Sequence, residues 1–166
     1  MRSDLEGRGL KMAIVCSKFN EEITTALLAG AQRALGDHGV GDDNVETFFV
    51  PGAFELPLAA KCLAGSGRYD AVIALGAVIR GGTAHYDLVA KAAALGISRA
   101  ALDTGVPVIF GVLATDTVDQ ARERSGGALG NRGEDAALAA IEMARFISEV
   151  KRQPLGKQFE TSTSPA

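Results

Sequence analysis

The sequence predicts a single-domain, three-layer α/β/α protein in which helices wind around both faces of a four-stranded parallel sheet. Three observations carry that expectation. Four short apolar runs of strand length alternate with segments whose apolar residues recur at helical spacing. Glycine, proline or small polar residues punctuate each change of pattern. The 166 residues suit one ordinary domain. Strands separated by helices pair in parallel through right-handed crossovers, so helices cover both faces of the sheet.

Residues 12–16 form the first apolar run, which ends at Ser17-Lys18-Phe19-Asn20; Ile23, Leu27, Ala31 and Ala34 then mark a helical stripe. Glu21 and Glu22 fall in that helix's first turn, where acids suit the positive end of the dipole, and Gly36 and Gly39 bracket its stop. Residues 45–50 are the second strand. Pro51-Gly52-Ala53-Phe54-Glu55-Leu56-Pro57 turns the chain into a helix reaching about residue 64, with Gly65 and Gly67 as punctuation. The third strand, residues 71–75, runs into a glycine-rich loop from Gly76 to His85, and Tyr86, Val89, Ala90, Ala93 and Ile97 mark the next helix. Residues 107–113 supply the fourth strand, followed by a short polar helix through Gln120 and Arg124 with a glycine-rich end. The last helix covers residues 134–151, with Ala137, Ala140, Ile141, Ala144 and Ile147 on one face. The arrangement is flavodoxin-like and doubly wound. In such sheets ligands bind beyond the carboxyl ends of the strands, so the loops at residues 17–20, 51–55, 76–85 and 113–117 are expected on one rim.

Composition narrows the function. With 47% hydrophobic and 22% charged residues the chain has the balance of a soluble globular protein, and a formal net charge of -3 without any Lys/Arg block argues against a nucleic-acid surface. No apolar run approaches the roughly 20 residues that span a bilayer, and residues 1–11 are too polar for a signal peptide, so a cytoplasmic protein is expected. Cys16 and Cys62 lack zinc or redox spacing and are read as buried thiols.

The residues with chemical potential cluster in the loops. Arg80-Gly81-Gly82-Thr83 follows a strand and opens a helix, so its backbone N–H groups can face an anion such as phosphate; a plain turn that uses glycine for positive φ fits equally. Neither the Walker nor the dinucleotide glycine pattern is present, which counts against an NTPase or dinucleotide enzyme. His85, beside this loop, is placed to shuttle protons, whereas His38 reads as a solvated loop residue. Arg124 and Arg122 both offer a fork for phosphate, and the sequence does not choose between them or exclude plain surface charges. Phe54 and Glu55 pair a flat face with a carboxylate, a combination that stacks a ring and accepts hydrogen bonds, against the alternatives of core packing and a helix-terminal acid. Phe19 and Phe110 are equally ambiguous alone.

Taken together, Phe19-Asn20, the Pro51–Pro57 heptapeptide, Gly76-Ala77-Val78-Ile79-Arg80-Gly81 with Thr83 and His85-Tyr86-Asp87, Pro107-Val108-Ile109-Phe110-Gly111-Val112-Leu113, Gln120, Arg124 and Gly130-Asn131-Arg132-Gly133 resemble the lumazine synthase family in order and spacing. The likeness runs from about residue 12 to residue 150. It implies condensation of 5-amino-6-(D-ribitylamino)uracil with 3,4-dihydroxy-2-butanone 4-phosphate to 6,7-dimethyl-8-ribityllumazine, in riboflavin biosynthesis, with no metal or cofactor. By the same resemblance Phe19 stacks on the pyrimidinedione and Ala53, Phe54 and Glu55 hold ring and ribityl chain. Ala77, Val78 and Ile79 present backbone groups, Gly82, Thr83 and Arg124 bind phosphate, Arg132 assists substrate binding, and His85 moves the proton. Phe110 closes the pocket from a neighbouring subunit.

Gly82, Ala84 and Arg132 depart from the commoner family pattern, which puts substrate affinity rather than catalysis in doubt, since added backbone freedom at Gly82 loosens the loop. The resemblance further implies a pentamer, and the glycine-rich stretch from Ser125 to Gly133 resembles that of members assembling 60-subunit shells. Expected boundaries are an N-terminal extension at residues 1–11, the synthase domain at 12–151, and a polar, disordered tail at 152–166. The rival readings are a catalytically poor flavin- or lumazine-binding protein, a structural shell protein, and a flavodoxin-like electron carrier. Retention of Thr83, His85 and Arg124 disfavours the first, and the lack of tryptophan and of a Ser/Thr-rich phosphate loop disfavours the last.

Overall fold

The computed structural model describes residues 5–153, so the expected tail lies outside the described residues from position 154 onward. Four parallel strands, β1 (Met12–Ser17), β2 (Val45–Val50), β3 (Ala71–Ile79) and β4 (Val108–Thr115), form one sheet in the order β2-β1-β3-β4. Five α-helices accompany them: α1 (Glu21–Asp37), α2 (Leu56–Gly65), α3 (His85–Thr104), α4 (Val118–Arg124) and α5 (Arg132–Arg152). This is the predicted flavodoxin-like, doubly wound sheet.

Strand alternation divides the core into two layers. Met12, Ile14, Cys16, Ile73 and Leu75 point to one face, where they meet Leu27 and Ala31 of α1 and Ala137 and Ile141 of α5. Ala13, Val15, Val72 and Ala74 point to the other, against Leu56 and Ala60 of α2 and Ala93 and Ile97 of α3. Every residue of β1 is buried, which is why the central strands read as continuous apolar runs rather than alternating ones.

The structure corrects several expectations. β3 does not stop at Leu75 but continues through Gly76 to Ile79, and β4 runs on to Thr115. Gly76 is therefore a strand residue; a Cβ there would lie 2.9 Å from Ser17 Oγ and 3.0 Å from Leu56 Cδ1, so glycine is required by close packing and not by a turn. Residues 125–131 form a small antiparallel hairpin, β5 (Ser125–Gly127) and β6 (Gly130–Asn131), where only a connection was expected. Cys16 is buried, and burial pushes its thiol pKa up, but Cys62 is exposed on α2. His38 is half-buried at the end of α1, with Nδ1 3.0 Å from the Leu5 carbonyl. Residues 5–10 of the N-terminal extension are tied to the sheet-and-helix body: Gly7 N–H donates to His38 O at 2.7 Å, and Arg145 on α5 donates to the carbonyls of Glu6 and Arg8.

α5 starts at Arg132, two residues earlier than expected, because Asn131 caps it. Asn131 Oδ1 accepts the N–H groups of Gly133 and Glu134 at 2.8 and 3.3 Å, and its Nδ2 donates to Ala26 O of α1 at 2.9 Å. The helices approach so closely here that a Cβ on Gly133 would overlap the Leu27 carbonyl. Gly133→Ala is expected to destabilise by about 2 kcal/mol or more, since backbone cannot yield as a flexible side chain does. In urea unfolding its midpoint should fall clearly below that of Gly36→Ala, where a Cβ meets open space; equal midpoints would contradict the close approach.

Candidate active site

The carboxyl ends of the strands meet where the winding changes direction, between β1 and β3, the usual ligand position in this architecture. β1 pairs with β3 only as far as Cys16 and Leu75, so residues 76–79 of β3 project past it while still paired with residues 112–115 of β4. Asn20 spans the opening: its Nδ2 donates to Ala77 O at 2.9 Å. Asn20 adopts φ 60°, and among the described residues it is the one non-glycine with positive φ, a conformation asparagine tolerates better than most. Arg80 N–H donates to Thr115 O at 2.8 Å, toward β4. By strand alternation the N–H and C=O of Ile79 then face the side that β1 has left.

Two exposed rings stand in the loops that follow β1 and β2. Phe19 is 71% exposed and Phe54 61%, which excludes the core-packing alternative for Phe54. The β1–α1 loop is stitched to the end of β2, Lys18 N–H donating to Val50 O at 2.8 Å and Phe19 N–H to Pro51 O at 3.0 Å. Ala53 is buried in a 3-10 turn, Ala53–Glu55, that leads into α2. Glu55 Oε2 accepts Gly52 N–H at 3.0 Å, so this carboxylate does act as a local cap while remaining exposed beside the rings. Ala77 and Val78 are buried and Ile79 half-buried; with the Ala77 carbonyl taken by Asn20 and the Val78 groups turned toward β4, the Ile79 backbone is the part of this strand end most open to a ligand.

Residues 80–84 connect β3 to α3. Gly81 and Gly82 have no positive φ, and a Cβ on either would meet nothing within 4 Å, so the turn does not use glycine for a left-handed conformation. What the two glycines do is strip side chains from the approach to the N-terminus of α3. Thr83 Oγ1 accepts the N–H of His85 at 3.3 Å, and His85, the first residue of α3, is exposed.

Phe110, Arg124 and Arg132 lie elsewhere, around a cleft of about 280 Å³ on the outer edge of β4, which no strand covers among the described residues. Phe110 is 46% exposed and in register with Ala74, whereas Ile79 lies five positions further along β3, about 16 Å at strand rise. The candidates thus form two groups: Phe19, Ala53, Phe54, Glu55, residues 77–79, Gly82, Thr83 and His85 at the switch point, and Phe110, Arg124 and Arg132 at the sheet edge. A family model described as 6,7-dimethyl-8-ribityllumazine synthase matches residues 9–148 and takes in both groups. The chain belongs to the lumazine synthase family.

Within this family member the two arginines left open by the sequence differ in employment. Arg122 is held by Glu22 across the gap to α1, at 2.7 and 3.2 Å, and by Asp119 at 3.1 Å. Its guanidinium keeps the Glu22 carboxyl below the usual carboxylate range, by direct hydrogen bond first and charge second. Arg124 instead lines the β4 cleft with Arg132, anchored through Nη1 to Gln120 O at 3.0 Å. Arg132 contacts Asp135 at 3.1 Å. Among the described residues no three His, Cys, Asp or Glu side chains are grouped to hold a metal, and no helix is long and apolar enough to cross a membrane. Asn20 was visible in the sequence as part of a motif but was given no role, because its φ and its bond to Ala77 depend on β3 outrunning β1.

Proposed function

We propose that the protein condenses 5-amino-6-(D-ribitylamino)uracil with 3,4-dihydroxy-2-butanone 4-phosphate to 6,7-dimethyl-8-ribityllumazine, the penultimate step of riboflavin biosynthesis. What supports this reading is that the loops after β1, β2 and β3, at the carboxyl ends of the strands, carry two exposed rings, an exposed carboxylate and a glycine-rich turn leading into a histidine-headed helix. The flat pyrimidinedione stacks on Phe19, its edge meets the backbone of residues 77–79, and Glu55 accepts ribityl hydroxyls. The phosphate sits at residues 82 and 83, at the positive end of α3, with Arg124 completing its coordination and Arg132 beside it.

The 5-amino group attacks the ketone and expels one water as the imine forms. Loss of the proton from C3 then expels phosphate from C4, the enol so formed takes up a proton at C4 to become a new ketone at C3, and attack of the ribitylamino nitrogen on that carbonyl closes the ring with loss of a second water. His85 carries protons between these steps. Holding two reactants in contact supplies most of the acceleration, and the chemistry calls for no cofactor.

The division of the candidates into two groups supports a site between copies of the chain, with Phe110, Arg124 and Arg132 donated by a neighbour. The surface of α3 supports the same reading: Leu88, Leu95 and Leu102, seven residues apart, are 69%, 73% and 82% exposed. An exposed leucine at every seventh position draws one apolar line along α3, a surface suited to packing against another helix. The assembly we propose is a pentameric ring, with twelve rings closing into a 60-subunit shell through further apolar surface such as Met143 and Phe146 on α5, and with its workplace in the cytoplasm. Mixing the protein with both substrates should release lumazine and phosphate in equal amounts above the spontaneous rate. If neither exceeds background, the enzyme reading fails and a binding or shell role on the same fold takes its place.

A further inference from the structure

One charged side chain beside the candidate site has no part in the reaction above. Arg80 leaves the end of β3 and reaches in two directions at once. Its Nε donates to Asp116 Oδ1 at 2.7 Å, just past the end of β4, and its Nη1 lies 3.9 Å from Asp87 Oδ1 in the first turn of α3. Its guanidinium also lies over the ring of Tyr86, 4.2 Å from the centroid. The side chain therefore brackets residues 81–84 from both ends. Those residues have little else to hold them, since a Cβ on Gly81 or Gly82 would meet open space.

We propose that Arg80 is the positioning residue of the phosphate turn, acting as a strut that fixes residues 81–84 and the His85 turn of α3 against the end of β4; the inference rests on the reading of that turn as the phosphate site. Arg132, read above as a neighbour of the phosphate, touches one carboxylate, Asp135, and Arg80 is held more fully. Arg80 has two carboxylates beside it and one face of its guanidinium on an aromatic ring, so both its charge and its geometry are already committed. Lysine cannot reproduce the arrangement, because an ammonium has neither the planar face nor the fork. The contacts are about half exposed, so the effect is one of order rather than of overall stability.

The test uses the assembled full-length protein with Arg80→Gln, Arg80→Lys and Asp116→Asn. KM for the phosphosugar, and the inhibition constant of inorganic phosphate, are expected to rise about fivefold to tenfold in both Arg80 variants, with KM for the aminopyrimidine unchanged. Asp116→Asn should move the same two constants in the same direction by less. Amide exchange of His85, whose N–H donates to Thr83 Oγ1, should quicken in all three while the strands keep their protection. Wild-type constants in Arg80→Lys would overturn the proposal by showing that charge alone suffices. So would weaker phosphate binding with unchanged exchange, the mark of a direct ligand, or an equal rise in both KM values. If the wild-type protein makes no lumazine, the functional reading falls, and exchange at the His85 amide still decides whether Arg80 is the strut.

Discussion

His85→Ala is expected to lower kcat by about a hundredfold, within the range that one general acid–base group contributes, and to leave KM for both substrates nearly unchanged. The residual rate comes from the two bound reactants, whose proximity does not depend on the imidazole. His85 is exposed at the head of α3, and the turn that would hold phosphate is fixed through its backbone N–H, which donates to Thr83 Oγ1, rather than through its ring. Removing the ring therefore leaves the anion site standing. Arg124→Ala should behave in the opposite way. Loss of a charge-assisted fork is worth about 1.5–3 kcal/mol, so KM for the phosphosugar should rise roughly tenfold to a hundredfold while kcat changes little. Steady-state rates followed by lumazine absorbance, with each substrate varied in turn, separate the two. An abolished kcat with unchanged KM in Arg124→Ala would overturn this division of labour.

The parts of the fold that were legible in the sequence are those set by local pattern. The four strands and five helices appear near their expected places because burial on both faces leaves continuous apolar runs in β1 and β3, and one-sided burial leaves stripes in α1 and α5. What was not legible depends on distant partners. Gly76 looks like the end of a strand, yet its meaning is the closeness of Ser17 and Leu56 from two other elements. Cys62 looks like a core thiol because α2 is apolar nearly all round, and only the packing phase of the helix shows that it faces outward. His38 looks solvated among glycines, and its tie to Leu5 depends on a segment 33 residues away. At the candidate site the residue types were legible and their grouping was not. Nothing in the spacing of Phe110, Arg124 and Arg132 reveals that they gather around one cleft beside β4, from a strand and two helices.

That grouping leads to a test of where the site is built. If each site takes Phe19, Thr83 and His85 from one chain and Phe110, Arg124 and Arg132 from the next, two crippled variants should repair one another. His85→Ala lacks the proton shuttle in its own half, and Arg124→Ala lacks the fork in the half it lends. In a closed ring with head-to-tail contacts each chain uses a different surface toward each neighbour, so a mixed assembly contains every ordered pairing. Equal mixing places an intact switch-point half against an intact edge half at one contact in four, which restores about a quarter of wild-type activity at phosphosugar concentrations below the variants' KM. Mixing preassembled rings without dissociation should give only the average of the two parents. A co-refolded mixture that also stays at that average would mean that each site is completed within one chain. Phe110, Arg124 and Arg132 would then have to reach the switch point by a rearrangement of β4 and α5. The buried register of β4 with β3 and the capping of α5 by Asn131 both oppose such a movement.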